Sequence, residues 1–150
     1  MQPAPFILLH KLADDYGAPV ASFYQCPSDD LLYVRWHGHL TAAEVVKGFR
    51  SLLAWQQQLA PTRLLLDRSR STGEWADALP WLRFEWLPAA RAAGLQAVSY
   101  VYSTDFPSRH DSEAFLESVR GYVPVELFGS SHEALAWLCH PHKPSSALPA

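Results

Sequence analysis

The sequence predicts an α/β domain: a mixed, mostly parallel five-stranded sheet with four principal helices, most of them on one face. Three observations predict it. Residues 22–26 and 31–37 read as strands around the turn-forming Pro27-Ser28-Asp29-Asp30, which makes an antiparallel hairpin. Strand-like and helix-like segments then alternate to the end of the chain, the order that builds a parallel sheet through right-handed crossovers. Arg63-Leu64-Leu65-Leu66-Asp67 is a short, dense apolar run of the kind found at the centre of such a sheet.

Residues 7–12 fit either a short strand or a helical turn, and Asp14-Asp15, Gly17 and Pro19 interrupt any longer pattern. In 31–37, Leu32, Val34 and Trp36 alternate with Tyr33, Arg35 and His37, giving one buried face and one partly wet face. Thr41 followed by Glu44 is a capping box, and it starts a helix that runs to about Leu59, before Pro61. Val45, Phe49, Leu52 and Leu53 form its apolar stripe, and Gly48 within it reads as a close-packing position. After the 63–67 strand comes a loop, 68–74. Asp77 is the expected N-cap of the next helix, with Pro80 in its first turn, a kink between Phe84 and Pro88, and Gly94 as the stop.

Residues 98–103 form the next strand, 108–119 a helix with Phe115, Leu116 and Val119 inward, and 123–128 the last strand. Ser130 or Ser131 caps a closing helix that carries Ala134, Leu135, Trp137 and Leu138. The chain thus divides into an N-terminal extension (1–20), one domain (21–139) and a C-terminal tail (140–150) that contains three prolines. Helices gathered on one face leave the other uncovered. Tyr33, Arg35 and His37 on one strand, with Tyr100 and Tyr102 on another, suit that face. The N-terminus, a second subunit or a ligand would cover it.

At 150 residues the chain makes one domain, and its 49% hydrophobic content supports a packed core. A net charge of −3 gives no basic field, so nucleic acid is a poor partner. Two cysteines, Cys26 and Cys139, make no disulfide framework and are expected to be reduced. No apolar run approaches the roughly 20 residues of a membrane span, and the opening residues lack the basic start of a secretory signal. A cytoplasmic protein is expected.

The densest polar cluster is Asp67-Arg68-Ser69-Arg70-Ser71-Thr72-Gly73-Glu74-Trp75. Asp67, Arg68, Ser69, Arg70, Ser71, Thr72 and Trp75 are candidate residues of an interaction or anion-binding loop, because guanidinium forks meet phosphate or carboxylate. An ordinary loop, its Asp67 bonded to backbone amides, is the alternative. No phosphate-binding glycine motif or nucleophile elbow occurs. The pairs His37/His39 and His140/His142 lack the partners of a zinc site. Ser103, Asp105 and His110 do not define a triad, nor Glu74 and Glu85 a glycosidase pair. No catalytic residue, metal or cofactor is assigned. Trp75, Trp81, Phe84 and Trp86 crowd into twelve positions. Trp81, Phe84 and Trp86 either fill the core through the kink or form a groove or interface.

The early hairpin, the element Leu64-Leu65-Leu66-Asp67-Arg68-Ser69 and the closing Glu133-Ala134-Leu135-Ala136-Trp137-Leu138 together resemble the STAS-type domain, and more closely the SpoIIAA-like proteins of bacteria. The resemblance spans roughly 22–139. It implies a non-enzymatic regulatory protein-interaction domain with a regulatory protein as partner; the aromatic residues themselves lead to the expectation of a homodimer, through the open sheet face or the Trp81/Phe84 side. In anti-sigma antagonists of this family a serine after a central strand, in an Asp-Ser-Ser-Gly motif, is phosphorylated. Ser69 is the nearest positional match here, with Ser71 and Thr72 equally available, and the motif is interrupted by arginines. The family's lipid-binding branch implies the alternative, an apolar or amphipathic small molecule in an aromatic-lined groove. An enzyme is the third reading.

Overall fold

The computed structural model describes residues 6–139. Six strands form one sheet whose spatial order follows the chain: β1 (Ile7–Ala13), β2 (Pro19–Cys26), β3 (Leu31–His39), β4 (Arg63–Thr72), β5 (Ala97–Val101) and β6 (Val125–Phe128). β1–β2 and β2–β3 pair antiparallel, whereas β3–β4, β4–β5 and β5–β6 pair parallel. The expected five strands become six because residues 7–13 form a full strand, bonded to β2 from Ile7↔Gln25 to Ala13↔Pro19. Asp14 makes the turn: its side chain accepts the amides of Tyr16 and Ala18, and Gly17 takes φ +86°. The segment that breaks the pattern in sequence is the hairpin turn.

Four helical segments complete the domain: α1 (Ala42–Leu59), α2 (residues 79–92), α3 (Phe106–Arg120) and α4 (Ser131–Cys139). The Thr41/Glu44 capping box forms in full at the start of α1. Gly48 sits against the Trp36 indole, where an added Cβ would collide with ring carbons. α2 begins at Leu79, not at an Asp77 cap: Asp77 lies in a preceding 3-10 turn, Ala76–Ala78, without a side-chain cap. The expected break before Pro88 takes the form of a π turn, Leu82–Trp86, which skips the bond that proline cannot make. Asp105 caps α3, accepting the Ser108 amide, and Ser130 accepts the Glu133 amide at the start of α4.

The three crossover helices share one sheet face. Beneath them Phe23, Val34, Trp36, Leu64, Leu66, Val98 and Tyr100 meet Phe49, Leu52, Leu82, Trp86, Phe115 and Leu116 in the main core. Their rings touch in sequence: Trp36–Phe49 at 5.3 Å, Phe49–Trp86 at 5.0 Å, Trp86–Phe115 at 5.8 Å and Tyr100–Phe115 at 6.1 Å between centroids. Among the described residues, α4 is the helix on the opposite face. Ala134 and Leu138 pack with Cys26, Leu31, Tyr33, Leu65, Ala97 and Val101. Cys26 and Cys139 are both free thiols, the first buried and the second exposed. No helix among the described residues is long and apolar enough to cross a membrane. The tail and its His140/His142 pair lie outside the described residues.

Candidate functional site

The polar cluster after Leu66 is strand, not loop, as far as Thr72. Arg35 pairs with Asp67 and His37 with Arg70, so β4 carries one residue more than β3 over this stretch. This is a β-bulge at Arg68-Ser69, and it lets the two residues leave the sheet on different paths. Asp67, only 2% exposed, lies on the α4 face and accepts the Tyr33 hydroxyl at 2.7 Å, the Ser69 hydroxyl at 2.6 Å and the Ser69 amide at 2.9 Å. Burial first, and then the bond to this carboxylate, push the Tyr33 hydroxyl up to about 12.

Arg68 goes the other way, into the main core, and is 1% exposed. Its guanidinium carbon lies 4.3 Å from the Trp36 ring centroid and 4.4 Å from that of Trp75, a cation held between two indole faces. Nε donates to the Tyr100 hydroxyl at 3.0 Å, which itself bonds Ser112 Oγ at 2.7 Å. Both Nη atoms are buried with no hydrogen-bond partner among the described residues. Burial lowers the Arg68 pKa from its ordinary value. The expectation of a solvent-facing arginine at 68 is therefore overturned: its long apolar stem and flat head fill the space between two tryptophans. Ser71 turns inward too, donating to the Arg68 carbonyl at 3.1 Å. Ser69, Arg70 and Thr72 remain exposed, with Thr72 Oγ1 3.0 Å from His39 Nδ1.

Trp75 braces this arrangement. Its amide donates to Asp111 at 2.7 Å and its indole N–H to Ser108 Oγ at 3.5 Å, tying the end of β4 to α3. The Gly73 amide donates to Asp105 at 3.0 Å, and Ser103 Oγ donates to the Ser71 carbonyl at 2.6 Å. Ser103, Asp105, Ser108 and Asp111 thus act as connectors between the β4 end and α3. Among the described residues no cluster of His, Cys, Asp or Glu has the geometry to hold a metal ion.

The aromatic candidates separate into three environments. Trp86 is fully buried, its indole N–H donating to Gln56 Oε1 at 3.2 Å. Trp81 is half-buried under the Arg50 guanidinium, 5.4 Å from its ring centroid. Phe84 is 65% exposed at the crest of the π turn, with the Arg83 guanidinium 5.3 Å from its ring. On one side of Phe84 lies a depression of about 180 Å³ lined by Leu87, Pro88, Arg91 and Tyr122; on the other, one of about 230 Å³ lined by Leu79, Pro80, Ala114 and Ser118. Tyr122 is itself 50% exposed, under Arg91 at 5.0 Å.

Tyr33 and Arg35 do face the side away from α1–α3, but Tyr100 and Tyr102 do not join them. Tyr100 is buried in the main core, and Tyr102 packs under Arg109 of α3, 4.1 Å from its ring centroid. The fold supplies Phe6 and Tyr24 instead: Phe6 lies 5.2 Å from Tyr33 and Tyr24 5.8 Å from it. Sequence reading missed both. The signal was available for Tyr24, which lies directly opposite Tyr33 once the hairpin register is set. His37 sits beside this patch, its Nε2 3.2 Å from Ser22 Oγ. Burial, then the neighbouring cations Arg35 and Arg70, lower its pKa. No family model matches the chain, and no curated protein matches it in sequence.

Proposed function

We propose that the chain is a non-enzymatic protein-interaction domain of STAS-like, regulatory type, and that it docks a protein partner through the Phe84 surface of α2. One observation carries the reading. The π turn lifts a phenylalanine out of the helix between two shallow depressions and sets guanidinium groups, Arg83 and Arg91, beside it and beside the exposed Tyr122. Exposed aromatic and arginine side chains clustered on rigid structure have the composition of an interface hot spot. The partner fitted to it has an apolar socket edged with carboxylates.

The alternative, an apolar small molecule between α2 and the sheet, finds less support. That space is filled by Leu82, Trp86, Leu87 and Ala90 against Phe49 and Phe115. The test compares immobilised wild-type protein with Phe84→Ser, using quantitative mass spectrometry of proteins retained from source cells. The variant is expected to lose one retained protein at least tenfold while its thermal melt stays within a few degrees, because position 84 is largely in water. Equal retention by both overturns the reading. Light scattering over a concentration series distinguishes a second copy of the chain from a different protein.

A further inference from the structure

The second sheet face holds a different kind of site. α4 covers it with side chains packed on β4 and β5, and Phe6, Tyr24, Tyr33 and Arg35 line a trough of about 190 Å³ beyond that cover. Three aromatic rings make its apolar part, with centroids 5.2, 5.8 and 6.5 Å apart. Tyr33 is held in place because its hydroxyl is committed to Asp67, which Ser69 fixes in turn. A wall whose orientation is fixed before binding loses little freedom when a ligand arrives.

Arg35 supplies the polar end. Its guanidinium carbon is 5.8 Å from the Tyr33 ring, and its Nε is buried with no hydrogen-bond partner among the described residues. The cross-strand row through it runs Lys11–Ser22–Arg35–Asp67, and His37 and Arg70 follow on the same strands. Asp67 is the carboxylate in that row, and its oxygens are already engaged by Tyr33 and Ser69. The one ion pair within 4 Å among the described residues, Arg120–Glu117, lies on α3. The trough therefore joins an aromatic wall to a cationic end where Lys11, Arg35 and Arg70 outnumber the one carboxylate, Asp67, whose charge balances Arg35 only in part. An anion is the complement that removes the cost of leaving a half-buried guanidinium donor unpaired.

Size narrows the class. A cavity of about 150 Å³ accepts benzene, whereas sites for drug-sized molecules begin near 300 Å³. The trough is open to solvent, and the part of a ligand that it holds matches a single ring with one short acidic arm.

We propose that the Phe6/Tyr24/Tyr33/Arg35 trough binds a small aromatic carboxylate, its ring against the three aromatic side chains and its carboxylate on Arg35. The site is separate from the Phe84 surface and stands whether or not that surface docks a protein. Three probes test it on the full chain by ¹⁵N-resolved NMR titration: phenylacetate, the neutral 2-phenylethanol, and acetate. Saturable shifts centred on Phe6, Tyr24, Tyr33 and Arg35 are expected with phenylacetate, and at least tenfold weaker binding with the other two. Arg35→Met keeps the stem and removes the charge, and is expected to weaken phenylacetate at least tenfold without changing the weak response to 2-phenylethanol. Tyr24→Ala, at a half-buried position, gives a second variant that removes ring contact and leaves Arg35 in place; a fivefold or greater loss is expected. The proposal is overturned if phenylacetate and 2-phenylethanol bind alike, if acetate binds as well as phenylacetate, if the shifts map elsewhere, or if both variants bind as the wild type does.

Discussion

Burying the Arg68 guanidinium takes it out of water at a cost of several kcal/mol, and the faces of Trp36 and Trp75 return part of that cost. Mutation separates the packing role from the charge. Arg68→Ala opens a void between two indoles and is expected to destabilise the fold by about 2–4 kcal/mol, in the range of large-to-small core substitutions. Arg68→Met fills most of the space without a charge and should fall within about 1 kcal/mol of wild type or above it, as buried ions replaced by apolar groups often do. Urea unfolding of both variants checks the contrast, and two equal losses would contradict the sandwich. A second residue sets a pH dependence. His37 has its pKa lowered below the ordinary 6.5 by burial and by Arg35 and Arg70. As pH falls below about 6.5 the unfolded chain takes up the proton before the folded one does, so stability declines toward the lowered pKa and then levels. His37→Gln should flatten that decline between pH 7 and 5, measured by melts across the range; an unchanged slope would assign the effect elsewhere.

At the level of elements, the start of α1 and the strand cores after β1 were legible, whereas the start of α2 and the strand ends were not. Thr41 and Glu44 form the capping box that their spacing announces, because the motif is local and needs no tertiary partner. Residues 68–72 read as a loop because apolar alternation stops at Asp67, yet the strand continues. A bulge against β3, the Tyr33 hydroxyl on Asp67 and the Trp36 face under Arg68 hold its polar residues in place, and all three come from residues 30 or more positions away, while Ser69 and Trp75 add local contacts. The candidate cluster was likewise half legible: Ser69 and Arg70 are exposed as expected, whereas Arg68, Ser71 and Trp75 are internal. Gly48 was legible as a packing position, and its cause is Trp36. Gly48→Ala gains up to about 1 kcal/mol of helix propensity but drives a methyl group into the indole, at a cost of about 1–3 kcal/mol. A net loss of stability is expected in chemical denaturation. A gain would show that Trp36 moves aside freely.

Across the whole molecule the sheet divides the work. One face is closed by α1, α2 and α3 around a continuous aromatic core, and the outer surface of α2 presents Phe84 to solvent. The other face is closed by α4 over β4 and β5, while the trough lies over β2 and β3. The proposed protein contact and the proposed anion site thus have separate places, on opposite sides of the sheet. The rigid core between them has its rings in mutual contact, which suits a domain whose surface is displayed in a fixed geometry. The docking claim is tested most directly by placing a photo-activated benzophenone side chain at position 84 in source cells, with the same group at exposed Gln57 of α1 as the comparison. One protein, or a second copy of this chain, cross-linked from position 84 and not from position 57 is the predicted result. The same products from both positions, or none from 84, would contradict it.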